Sequence, residues 1–150
     1  MSSIYNFLSV SDRLSCSGQP RETELSAIAV EGYGVVINLG LADGKYALKD
    51  EEAWVKHLGM IYHHIPVLFD NPHIDDFTGF TGVMNQHKGE KTLVHCAANY
   101  RASAFTGLYL LYLNELDEPD TISFIEQVWQ PDAIWEQFIE ECIQFLREQQ

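Results

Sequence analysis

The chain alternates short continuous apolar runs with longer stretches in which apolar positions recur every three or four residues. That is the pattern of buried strands interleaved with amphipathic helices. Gly34-Val35-Val36-Ile37-Asn38-Leu39 and the run opening Thr92-Leu93-Val94 are continuous enough to be strands covered on both faces. A third strand is predicted over 60–68, and 14–17 reads as a short edge strand ended by the turn signal Gly18-Gln19-Pro20. Helical spacing predicts helices over 21–31 (Leu25, Ile28 and Ala29 inward, Gly32 as stop), 49–58 (Ala53, Trp54 and Leu58 inward, Gly59 as stop) and 73–88 (Phe77, Phe80, Thr81 and Met84). Three more follow the Thr92 run. The helix over 101–116 is apolar nearly all round, through Ala104, Phe105, Leu108, Leu110, Leu111 and Leu113. Those over 120–129 and 132–148 are separated by Pro131, the last turning Trp135, Phe138, Ile139, Cys142, Ile143 and Leu146 inward and Glu136, Glu140, Glu141 and Arg147 outward. Residues 1–9, with Ile4, Tyr5, Phe7 and Leu8, are apolar enough to dock on the body.

Helices between apolar strands imply parallel crossovers. The expected fold is therefore α/β and three-layered, with a central, mainly parallel sheet of four or five strands and helices on both sides. Residues 1–150 read as one domain without repeat or linker, long enough to bury roughly two thirds of its unfolded surface. Nine basic against 22 acidic residues give a net charge of −13. That argues against nucleic acid or an anionic membrane as partner, and any anionic substrate must be held by local charges. No basic segment followed by an apolar stretch opens the chain and no apolar run approaches membrane length, so neither secretion nor spanning is signalled. Cys16, Cys96 and Cys142 are odd in number and widely spaced, which suits a reducing cytoplasm.

The chemistry concentrates in Thr92-Leu93-Val94-His95-Cys96-Ala97-Ala98-Asn99-Tyr100-Arg101-Ala102-Ser103: a strand, a loop of small residues, and a helix. Unpaired N–H groups at a helix start attract an anion and favour a thiolate, which makes Cys96 a candidate nucleophile. Arg101 offers a planar fork to two oxygens of a phosphate or similar oxyanion. Ala97, Ala98 and Ala102 keep bulk away, Asn99 tolerates positive φ, and Ser103 adds a hydroxyl near Cys96. Cys16 and Cys142 read as core residues. His63 and His64 are adjacent on a strand and point to opposite faces, so no metal site is expected there.

His95-Cys96-x-x-Asn99-x-Arg101-x-Ser103 resembles the signature loop of cysteine-dependent protein tyrosine and dual-specificity phosphatases. It looks closer still to a bacterial family of small phosphatase-like proteins whose domain is also found fused to metallo-β-lactamase-like hydrolases. Tyr5-Asn6-Phe7-Leu8, Ser17-Gly18-Gln19-Pro20, Gly34-Val35-Val36-Ile37-Asn38-Leu39 and His64-Ile65-Pro66-Val67 look like that family's landmarks, in its order, so the resemblance covers about residues 4–115.

It implies a tyrosine-phosphatase-like fold and hydrolysis of a phosphomonoester through a cysteinyl-phosphate, with no metal or other cofactor. Cys96 would attack phosphorus, and Arg101 with the N–H groups of Ala97, Ala98, Asn99, Tyr100, Arg101 and Ala102 would hold the equatorial oxygens. His95 would position Cys96, and Ser103 would help the thiolate leave. Asp70, in the loop after the 60–68 strand, would be the general acid, with Asp75 and Asp76 as alternatives that also suit the first turn of the next helix.

The sequence departs from the tyrosine phosphatases in three ways. Four residues rather than five separate Cys96 from Arg101, Ala102 intervenes before Ser103, and Asn99 stands where Gly is usual. The related bacterial proteins often carry Arg where this chain has Gly40. A four-residue gap is also that of rhodanese-type sulfurtransferases, so a Cys96 persulfide is a second reading. A weakly catalytic module that binds phosphorylated or other anionic ligands is a third.

Overall fold

A computed structural model describes residues 3–149. The chain begins with a hairpin of β1 (Leu8–Ser11) and β2 (Leu14–Ser17). Helix and strand then alternate through α1 (Glu22–Val30), β3 (Val35–Asn38), α2 (Glu51–His57), β4 (Ile61–His64), α3 (Ile74–Gln86) and β5 (Thr92–His95). Three helices close it, α4 (Tyr100–Tyr112), α5 (Glu118–Glu126) and α6 (Ala133–Glu148). The sheet order is β1-β2-β5-β3-β4, parallel throughout except that β1 runs antiparallel to β2.

The continuous apolar runs become inner strands because both faces are covered. Leu14, Cys16, Val35, Ile37 and Val94 share one core with residues of α3, α4, α5 and α6. Val36 and Leu93, on the opposite face, pack with Leu25 and Ile28 of α1 and with Val55 of α2. These are the three expected layers. Every residue of α4 from Arg101 to Leu110 is buried, so the helix behind the loop is the centre of the larger core.

Three local expectations are corrected. The 14–17 strand is not an edge: β1 covers one side of it and β5 the other. Leu8-Ser9-Val10-Ser11 alternates half-buried and exposed positions, the pattern of an outer strand wet on one face, and four residues are too few for that alternation to stand out from a docked coil. In α2 the inward residues are Glu51 and Val55, with Leu58 half-buried beyond the helix end, while Ala53 and Trp54 face solvent. Asp50, directly before the helix, lies in the left-handed region at φ 59°. The third strand is also shorter than 60–68; past His64 the chain follows β3 through two isolated bonds, Ile65 N to Asn38 O and Val67 N to Leu39 O.

The parallel register aligns the carboxyl ends of four strands. Ser17 and Asn38 both lie beside His95, and His64 lies beside Asn38. In open α/β sheets ligands bind at that end. No helix among the described residues is long and apolar enough to cross a membrane.

Candidate active site at the carboxyl end of the sheet

Cys96 is the first residue past β5, and its N–H donates to Ser17 O at 3.3 Å. Its thiol is buried, and Sγ accepts the Ala102 N–H at 3.4 Å from the first turn of α4. Between them the chain reverses at Asn99, which holds φ 73° as the residue preceding the helix. An L-residue with a short polar side chain is the usual alternative to Gly in that conformation, as the sequence led one to expect. The helix therefore starts at Tyr100, one residue earlier than its hydrophobic pattern suggested. Among the described residues, the N–H groups of Ala97, Ala98, Tyr100 and Arg101 meet no protein acceptor, as expected for the positive end of a helix.

The outer side of the turn is held by the N-terminal segment. Ala97 O accepts from Gln19 N at 3.0 Å, Ala98 O accepts from Asn6 Nδ2 at 2.9 Å, and Asn99 Nδ2 donates to Asn6 O at 2.9 Å. Gly18 lies so close that a Cβ there would be 2.7 Å from Ala97 O. On the other side Gly40 sits against Cys96, its N–H donating to Asn38 Oδ1 at 2.8 Å and its carbonyl in contact with His64 Nε2 at 2.6 Å. The carbonyls of Ala97 and Ala98 are thus occupied. The turn is held from both sides by hydrogen bonds and close backbone contacts.

His95, fully buried, sits beneath the turn with Nδ1 3.3 Å from Cys96 O and Nε2 2.5 Å from Glu51 Oε2. Glu51 is buried as well and accepts a second bond from Gln19 Nε2 at 2.7 Å. Burial pushes the Glu51 carboxyl up, but the electrostatic interaction with His95 and the hydrogen bonds from His95 and Gln19 outweigh it and hold the group below its ordinary value. Glu51 ties the base of the Cys96 turn to α2. Nothing local distinguishes it from Glu52, which lies on the exposed side paired with Lys56; both read as acids at a helix start. Gln19 and Asn6 were visible as parts of the Ser17-Gly18-Gln19-Pro20 and Tyr5-Asn6-Phe7-Leu8 landmarks.

Arg101 is 8% exposed. Its Nη1 donates to Val67 O at 2.8 Å and its guanidinium carbon lies 5.8 Å from the centroid of the Phe69 ring. Nε is buried with no partner among the described residues. The side chain thus spans from the turn to the segment that carries Asp70. Asp70 itself is exposed in the tight turn closed by Asn71 N on Leu68 O at 3.2 Å. Asp76 accepts from His73 N at 3.1 Å at the start of α3, and Asp75 lies in the same first turn. The Ser103 hydroxyl is bonded to Tyr100 O at 3.1 Å, which leaves the Ala102 N–H as the hydrogen-bond donor to Cys96 Sγ among the described residues.

The other cysteines lie in the core. Burial pushes the Cys16 thiol up to about 12 and raises that of Cys142 as well. His63 and His64 diverge as strand geometry requires: His63 Nε2 is 2.8 Å from His87 Nε2, while His64 bonds Gly40 O. Among the described residues no three His, Cys, Asp or Glu side chains gather as a set of metal ligands.

No family model matches the chain. Among curated proteins it is 30% identical over 96 residues to the "Beta-lactamase hydrolase-like protein" of Xylella fastidiosa. That stretch is 62% of this chain and 22% of the relative, so the chain spans about a fifth of the length of the curated relatives it matches. Among solved structures, Tk-PTP in its active form shares the fold, with a TM-score of 0.77 at 21% identity over 99% of both chains. A "Putative phosphatase (DUF442)" from Shewanella putrefaciens CN-32 superposes with a TM-score of 0.86 and is 36% identical, over 93% of this chain and 92% of that one. With that identity across nearly the whole of both chains, and with the Cys96 turn set at the carboxyl end of the same sheet, the chain belongs to the DUF442 family of bacterial proteins with the tyrosine and dual-specificity phosphatase fold.

Proposed function

We propose that this chain is a cysteine-dependent phosphatase that hydrolyses a phosphomonoester. The observation that carries the reading is the donor set of one turn: the Ala102 N–H on Cys96 Sγ and, without acceptors among the described residues, the N–H groups of residues 97, 98, 100 and 101 and the buried Nε of Arg101. Against a net charge of −13, such a set is what an anionic substrate needs in order to be held. Cys96, as the thiolate, attacks phosphorus while Asp70 gives its proton to the departing oxygen, so that the P–O bond breaks as the S–P bond forms. The N–H groups of the turn and Arg101 take the equatorial oxygens. In the second step Asp70 accepts a proton from water, the oxygen of that water attacks phosphorus, and the S–P bond breaks to return the thiolate and release orthophosphate. His95, held by Glu51, keeps the Cys96 carbonyl and turn in place. Ser103 acts by fixing the first turn of α4, and the Ala102 N–H stabilises the leaving thiolate.

Steady-state hydrolysis of para-nitrophenyl phosphate and phenyl phosphate under reducing conditions tests this. Turnover is expected to disappear in Cys96→Ser. In Asp70→Asn it is expected to fall by roughly 10²-fold or more on phenyl phosphate, the poorer leaving group, and less on the nitrophenyl ester. Equal turnover by Cys96→Ser would refute the reading. The four-residue gap between Cys96 and Arg101 favours a second one, sulfur transfer through a Cys96 persulfide, which has no use for a general acid. Loading of Cys96 from thiosulfate, unaffected by Asp70→Asn, would decide for it.

A further inference from the structure

The segment carrying Asp70 is fastened to the rest of the molecule at successive points. Ile65 N and Val67 N donate to Asn38 O and Leu39 O at 2.9 and 3.0 Å. Arg101 Nη1 holds Val67 O at 2.8 Å. The last fastening comes from far along the chain: the indole N–H of Trp135, in α6, donates to Phe69 O at 2.7 Å. Phe69 is also packed on its side-chain side, with ring centroids 5.7 Å from Trp129, 5.9 Å from Trp135 and 6.3 Å from Tyr100. Tyr100 in turn stacks on Trp129 at 4.5 Å with 4° between the planes.

Trp135 is fully buried against Phe105 and Phe138, so its ring fills the core. Filling the core needs no N–H, and a buried indole N–H usually finds an acceptor. Here the acceptor is the carbonyl directly before Asp70. The donor is itself immobilised, since Asp132 Oδ1 caps the start of α6 by accepting Trp135 N at 2.9 Å. We propose that Trp135 is a positioning residue for the general acid: its bond to Phe69 O, together with that of Arg101 to Val67 O, makes residues 65–71 a fixed wall of the site and sets where Asp70 stands over the Cys96 turn. This rests on the phosphatase reading. Displacing a reacting group by about 1 Å is enough to cost roughly 10²-fold in rate, so the loss of one of two such tethers is large enough to measure.

The test is Trp135→Phe in the full chain, assayed on phenyl phosphate and para-nitrophenyl phosphate beside the parent and Asp70→Asn. If the bond serves the acid, the variant loses at least about tenfold more kcat on phenyl phosphate than on the nitrophenyl ester, in the direction set by Asp70→Asn. Equal losses on both substrates, as from general loosening of the core, overturn the proposal, and so does a ratio equal to the parent's. Should Trp135→Phe fail to fold, benzothienylalanine at position 135 keeps the ring volume, removes only the N–H, and is judged by the same ratio. A parent without Cys96-dependent turnover sinks this proposal and the phosphatase reading together. A parent whose leaving-group dependence requires Asp70 but not the Trp135 N–H sinks this one alone.

Discussion

Replacing Glu51 with Gln removes one charge from beneath the Cys96 turn while keeping the shape of the side chain. Glu51 and His95 are 4% and 0% exposed, so neither partner recovers solvent when the other is altered. A hydrogen bond to a charged group typically contributes about 1.5–3 kcal/mol, and the Glu51 carboxylate accepts two, from His95 and Gln19, or about 3–6 kcal/mol together. Gln retains an acceptor oxygen, which places the expected loss near the lower end, about 3 kcal/mol. For a chain of this size that corresponds to roughly 6–12 °C in Tm. The pH dependence is fixed by the direction of the shift. The folded-state carboxyl lies below its ordinary value of 4.5, so the interaction contributes fully above that pH and is lost as pH falls through the folded-state value. Thermal unfolding of parent and Glu51→Gln at several pH values between neutrality and the onset of acid unfolding is the assay, with Glu52→Gln as control because Glu52 is paired with Lys56 in solvent. The Tm gap should be widest near pH 7 and close toward acid pH, and Glu52→Gln should track the parent. A Glu51→Gln protein as stable as the parent at pH 7, or a gap that does not change with pH, would refute the assignment of Glu51 as the ionised partner of His95.

Asn99 supplies both a left-handed backbone and a side-chain bond to Asn6 O, so Asn99→Ala should lose about 1 kcal/mol to strain and about 1 kcal/mol with the hydrogen bond, whereas Asn99→Gly loses chiefly the second. Denaturant midpoints in the order parent, Gly, Ala would bear this out, and Ala as stable as Gly would not. Burial lifts the Cys16 and Cys142 thiols, so iodoacetamide at mildly alkaline pH should leave both unmodified in the folded protein and alkylate both once it is unfolded. Native labelling of Cys16 at its unfolded rate, followed by mass spectrometry, would contradict its place in the core.

Much of this protein is local information and was legible along the chain. Val35-Val36-Ile37 and Leu93-Val94 are apolar without interruption because both sheet faces are covered, and α6 shows its buried stripe from Trp135 to Leu146 because one helical face meets the core. The turn chemistry was equally local: small residues after Cys96, an Asn where positive φ is needed, and a helix starting directly behind it. Tertiary structure alone decided which distant groups meet there. A shift of 100° in the rotation of α2 exchanges Glu51 for a neighbour, and only its packing on the sheet determines that Glu51 turns inward to His95 while Trp54 turns out. The hairpin that places β1 outside β2 depends on pairing that four alternating residues do not announce. Arg101 reaching Val67 and the Trp135 indole reaching Phe69 O, the latter across 66 positions of chain, exist only because α4 and α6 pack beside the strand ends. Periodicity reports which face of an element is buried; what that face touches is set by register and packing between elements that the local pattern does not encode.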